Sequence, residues 1–121
     1  MSLPGETALP EPTYDPGRFK DVAETPFGRR LWKFLLEPEN VLRLEVASEL
    51  RHPAVEGIAE RLLERFGDDV RPDRVKQLVG HMVRQVLEAR GFALDAQNLR
   101  TRFGGGLFSR ASRYRRLPSS S

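Results

Sequence analysis

A chain of 121 residues, 39% of them hydrophobic, suffices for one modest core, and the absence of cysteine excludes a disulfide framework or a thiolate metal site. No apolar run approaches the roughly 20 residues that span a bilayer, and residues 1–20 hold no signal-peptide apolar core; a cytoplasmic protein without a membrane partner is expected. The net charge of +3 is unevenly spread: residues 1–70 carry nine basic against fourteen acidic side chains, residues 71–121 eleven against three. So basic a second half points to an anionic partner, nucleic acid being the commonest.

Residues 1–24 hold Pro4, Pro10, Pro12 and Pro16 with few aliphatic side chains, which predicts an extended, disordered arm. Tyr14, Phe19 and Val22 can lay its second half against the domain. Thr25 and Pro26 then suit the N-cap and first position of a helix reaching Glu37. Phe27, Leu31, Phe34 and Leu35 share its inner face, which Trp32 and Leu36 widen. Past Pro38, a second helix over 39–50 should turn Leu42, Val46, Ala47 and Leu50 inward. The alternation over 42–46 leaves a short strand as the alternative. A third helix over 53–66 presents Ala54, Val55, Ile58, Ala59, Leu62, Leu63 and Phe66, and Gly67 ends it.

The strongest pattern lies over 72–90. Val75, Leu78, Val79, Met82, Val83, Val86 and Leu87 keep the spacing of an amphipathic helix without a break. Pro72 and Asp73 suit its start, and Gly91 its left-handed stop. The opposite sector gathers Arg74, Gln77, His81, Arg84, Gln85 and Glu88. Arg and Gln can bond base edges at two points at once, and His can add a donor. Taken alone the sector reads as the wet side of a core helix, and the basic segment that follows shifts the balance toward binding.

After Gly91 the period shortens. Phe92-Ala93-Leu94 alternates, the turn-prone 95–98 follows, and 99–103 alternates again, with Arg100 and Arg102 on one side. The glycines at 104–106 break the pattern before a segment in which Leu107, Phe108 and Tyr114 are anchors and Arg110, Arg113, Arg115 and Arg116 crowd the surface. The expected fold is mainly α: about four helices in a small bundle with a C-terminal basic β-hairpin or ribbon. One domain covers 25–116, and 117–121 is a disordered tail. Helices 53–66 and 72–90 about a short turn resemble a helix-turn-helix pair. With the basic hairpin, residues 53–116 resemble winged-helix DNA-binding modules, and the resemblance implies a reading helix beside a ribbon that reaches the neighbouring groove or backbone.

No enzyme chemistry is expected. His52 and His81 stand 29 positions apart, the carboxylates lie beside basic neighbours, and Ser109 and Ser112 have no identifiable base. The glycine run lacks the Lys-Ser/Thr of a phosphate loop, and no cofactor or metal is expected. The leading expectation is a nucleic-acid-binding protein, double-stranded DNA favoured and RNA or single strands as variants. Arg100, Arg102, Arg110, Arg113, Arg115 and Arg116 would hold phosphates, and Arg74, Gln77, His81 and Arg84 would face the major groove. The alternative is a protein-interaction module, homodimeric or with an acidic partner, using the apolar segment Trp32, Phe34, Leu35 and Leu36.

Overall fold

Threonine and proline fix where the first long helix begins. Thr25 has extended backbone angles, its Oγ1 accepts from the Gly28 N–H at 3.0 Å, and Pro26 occupies the first helical position. The computed structural model describes residues 17–101, 108 and 110–118. Within them the chain is mainly helical and ends in a two-stranded antiparallel hairpin. The helices are α1 (Lys20–Ala23), α2 (Pro26–Leu35), α3 (Pro38–Glu49), α4 (Ala59–Phe66) and α5 (Asp73–Ala89); the strands are β1 (Phe92–Arg100) and β2 (Arg110–Arg116).

All seven apolar positions of the pattern over 72–90 are buried in α5. They form one core with Leu31, Phe34 and Leu35 of α2, Leu44 of α3, Ile58 and Leu62. Burying a large aliphatic side chain contributes about 1.5–3 kcal/mol, so this stripe is what organises the domain. Gly91, with φ of 89°, ends the helix in the left-handed region.

Four expectations need correction. The span 17–23 is not an extended arm: a 3-10 turn at Gly17–Phe19 leads into α1, and Phe19 and Ala23 are buried. Phe19 is the reason, since its ring joins the hydrophobic core and draws the segment onto the domain.

In α3 the predicted inner face is turned outward. Leu42, Val46 and Leu50 are 58%, 47% and 62% exposed, and Asn40, Leu44, Ala47 and Ser48 are buried instead. Polar residues are tolerated inside because both are bonded. Asn40 Nδ2 donates to the Phe34 carbonyl at 2.7 Å, Arg61 Nε donates to Asn40 Oδ1 at 2.6 Å, and Ser48 Oγ donates to the Leu44 carbonyl at 2.8 Å. The segment 42–46 is helical, not a strand. By the same packing Phe34 and Leu35 are core residues and Trp32 and Leu36 are half-buried, so the segment proposed as a partner surface is largely spent on the interior.

The third helix is split into a 3-10 turn at Ala54–Gly57 and α4, with the break at Ile58. A Cβ on Gly57 would lie 2.6 Å from the Arg43 carbonyl oxygen, so this tight turn packs backbone to backbone on α3. Just before it, Pro53 forms an isolated antiparallel bridge with Arg113 of β2.

The polar residues 95–98 form no turn. β1 runs through them by means of two bulges, between Leu94 and Ala96 and between Ala96 and Leu99. Nine residues of β1 therefore face seven of β2, and Asn98, at φ 57°, takes the left-handed angle that one bulge needs. The glycine run at 104–106, with Arg102, Phe103, Leu107 and Ser109, lies outside the described residues. Ion pairs tie the ribbon to α3: Arg116 bonds Glu49 and approaches Glu45 at 3.9 Å, and its guanidinium stands 4.5 Å over the Phe92 ring.

Candidate functional site

The bulges bend the ribbon over the polar side of α5, and a trough of about 820 Å3 opens between them. Gln77, His81 and Arg84 line the helix wall, spaced by four and three residues so that they stand on one side of α5, and Lys76 lines it beside Gln77. Gln97, Asn98, Arg110 and Ser112 line the ribbon wall. Val55, Val83, Leu94, Phe108 and Tyr114 supply its apolar lining, and Arg18 and Phe19 line it as well. Among the described residues, four arginine or lysine side chains line the trough with one carboxylate, Asp73, so its interior is positive.

Local contacts set the positions of these groups. The Phe19 ring lies 5.3 Å from that of His81, and the guanidinium carbons of Arg18 and Arg74 stand 5.1 and 5.0 Å from its centre. One aromatic side chain therefore organises three cationic or potentially cationic ones. Arg110 donates to the Asn98 carbonyl at 2.9 Å, which fixes it against the bulge. Arg84 meets Glu88 at 3.3 Å and Lys76 meets Asp73 at 3.4 Å, both exposed pairs of small worth that an anion can replace. In register, Arg100 stands opposite Arg110 across the two strands, a like-charge placement that favours an anion between them.

Burial pushes the Tyr114 hydroxyl up to about 12, with the Arg84 charge working against that rise and Glu88 with it. Tyr114 and Phe108 are 4% and 7% exposed, so little of either ring is open to a stacking base.

Comparison with protein-family models, with curated proteins and with solved structures returns no match.

Of the residues expected to bind nucleic acid, the trough gathers Gln77, His81, Arg84 and Arg110. Arg74 is placed elsewhere. Its guanidinium donates to the Arg18 carbonyl and to Asp21 Oδ1, each at 2.7 Å, and so latches the 17–23 segment to α5. That hydrogen bond holds the Asp21 carboxyl below its ordinary value. Arg113 is paired with Asp95 at 2.9 Å and Arg116 with Glu49, whereas Arg100 and Arg115 are exposed and form no ion pair with a described residue. Arg102 lies outside the described residues. Arg18 and Lys76 were missed. Lys76 falls one position beside the polar sector, and Arg18 stands in a stretch whose only structural signal is the aromatic residue after it. Among the described residues no helix is long and apolar enough to cross a membrane, and no three His, Cys, Asp or Glu side chains cluster as a metal site would require.

Proposed function

We propose that the chain binds double-stranded DNA, with one sugar-phosphate strand lying in the trough between α5 and the ribbon. The observation that carries this reading is the convergence of Gln77, His81 and Arg84 from the helix with Arg110 from the ribbon on one positively lined concavity. A helix in a major groove and a ribbon at the adjacent minor groove are separated by one backbone strand, and a trough between two such walls suits it. The winged-helix resemblance over 53–116 rests on the order of elements alone: α4, a short turn, α5 and the ribbon follow one another. Duplex is favoured over single-stranded nucleic acid because stacking needs exposed aromatic faces, and Phe108 and Tyr114 are buried.

The ion pairs refine which arginines contribute. Arg18, Arg84, Arg100, Arg110 and Arg115 supply phosphate contacts; Arg113 and Arg116 hold the ribbon together. With about five contacts, log K should fall against log salt with a slope of about −4 to −5. Titration of a random duplex at graded salt measures it. Arg110→Ala or Arg100→Ala should each flatten the slope by about 1, and Arg113→Ala should leave it nearly unchanged. A flat salt response in the parent, or no duplex binding near 50 mM salt, rejects the proposal. Equal effects of Arg110→Ala and Arg113→Ala reject the assignment of roles.

A further inference from the structure

The four large hydrophobic residues that stay exposed among those described are Leu42, Val46, Leu50 and Leu117. Leu42 and Val46 on α3 and Leu50 at its C-cap recur every fourth residue, and Leu117 follows Arg116, which is bonded to Glu49 at the end of that helix. No α3 residue lines the trough, so this patch belongs to a separate face. From their fractional exposures they offer about 400 Å2 of apolar surface, within the range of the largest, often functional, patch on a soluble domain.

We infer that this face joins two copies of the chain, α3 crossing α3 with Val46 at the crossing point. Three features select a second copy over another occupant. Leu42, Val46 and Leu50 form a ridge of the i, i+4, i+8 kind, and two such ridges interdigitate in the commonest helix crossing, near −50°. The ridge is symmetric about Val46, four residues separating it from each leucine, as a two-fold contact requires. The acidic charges of α3 are already paired within the chain: Glu39 with Arg43 at 3.1 Å, Glu45 with Arg90 at 3.4 Å, and Glu49 with Arg116. A basic partner finds no unpaired carboxylate among them, whereas two copies meet without repulsion. Acidic residues on the helix also disfavour an anionic lipid surface. The apolar patch is about half of the ~800 Å2 per partner of a standard interface, the size of a weak, reversible dimer contact.

Sedimentation of the full chain across a concentration series tests this. The parent, 13.8 kDa as a monomer, should sediment at twice that mass as concentration rises into the range of about 100 μM, a weak-dimer affinity. Val46→Glu should remain monomeric throughout, with an unchanged melting temperature at dilutions where the parent is monomeric, because position 46 faces solvent in the single chain. Since the chain holds no cysteine, Val46→Cys gives a second readout: mild oxidation should produce a linked dimer, and Glu64→Cys on α4 should not. A monomeric parent at every concentration overturns the inference and leaves the ridge to a different protein. A dimer that persists in Val46→Glu, or equal cross-linking at positions 46 and 64, overturns the surface assigned. None of these readouts involves nucleic acid, so they stand or fall apart from the trough's ligand.

Discussion

Asn40 is the side chain whose removal most directly tests how the helices are joined. It is fully buried, donates to the Phe34 carbonyl at the end of α2 and accepts from Arg61 of α4, so one amide on α3 ties three helices. Asn40→Ala removes a neutral hydrogen bond, contributing about 0.5–1.5 kcal/mol, and one to a charged donor, contributing about 1.5–3 kcal/mol. The Phe34 carbonyl retains the Glu37 N–H at 3.1 Å, and Arg61 retains Glu39 at 3.4 Å, so neither group is left wholly unsatisfied. The expected loss is therefore about 2–4 kcal/mol. At roughly 4–8 °C per kcal/mol for a domain of this size, the melting temperature should fall by at least about 8 °C. Urea unfolding followed by circular dichroism and by Trp32 fluorescence measures it. Asn40→Leu separates bonding from volume: if lost hydrogen bonds dominate, it remains as destabilised as the alanine variant. A coupling of about 1.5–3 kcal/mol with Arg61→Ala is expected in a double-mutant cycle. A change below about 0.5 kcal/mol for Asn40→Ala would refute the account.

Two further outcomes follow from backbone and charge. Arg51 sits at φ 63° after α3, where His52 N–H bonds the Ala47 carbonyl at 2.9 Å and Arg51 N–H that of Ser48 at 3.1 Å, a capping arrangement that glycine fits best. Arg51→Gly should stabilise by about 0.5–1 kcal/mol in the same melts, and a loss of stability there counts against the cap. For Tyr114 the folded value is raised, so between pH 10 and about 12 the folded chain keeps a proton that the unfolded chain has released. Its contribution is full below pH 10 and is lost as pH rises toward 12, about 2–3 kcal/mol in all. Urea melts of the parent and of Tyr114→Phe across that window should diverge by this amount; parallel declines would show that the hydroxyl is not the cause.

The parts of the fold legible in the sequence were those dictated by one dominant periodic signal. α5 has seven apolar positions and no competing polar group, so its inward face follows from spacing, as Thr25 and Pro26 follow from capping chemistry. α3 shows the opposite case. Apolar Leu42, Val46 and Leu50 and bondable Asn40 and Ser48 occupy opposing faces, and packing chose the side whose polar groups meet carbonyls and Arg61. Composition alone ranks leucine over asparagine and so turns the helix the wrong way. In the ribbon, residues 95–98 carry turn chemistry that the chain uses for bulges, because β2 supplies a partner strand that local sequence cannot reveal. For the trough, Gln77, His81 and Arg84 were visible as a helix sector. Their meeting with Arg110 depends on those bulges, and the diversion of Arg74 to Asp21 depends on a segment that reads as an arm.

That diverted arginine has a practical consequence for handling the protein. The latched segment brings Gly17 against the imidazole of His81, since a Cβ there would lie 3.4 Å from its Cε1. A label carried at residue 17 is thus placed at the lip of the trough. At the other end, the Leu117 N–H bonds the Gly91 carbonyl at 2.8 Å beside the Arg116–Glu49 pair, so a label carried at residue 117 stands near α3. A fluorophore at the first position therefore competes with a ligand, and one at the second competes with a second copy. The choice of labelled residue decides which of the two faces an experiment can see.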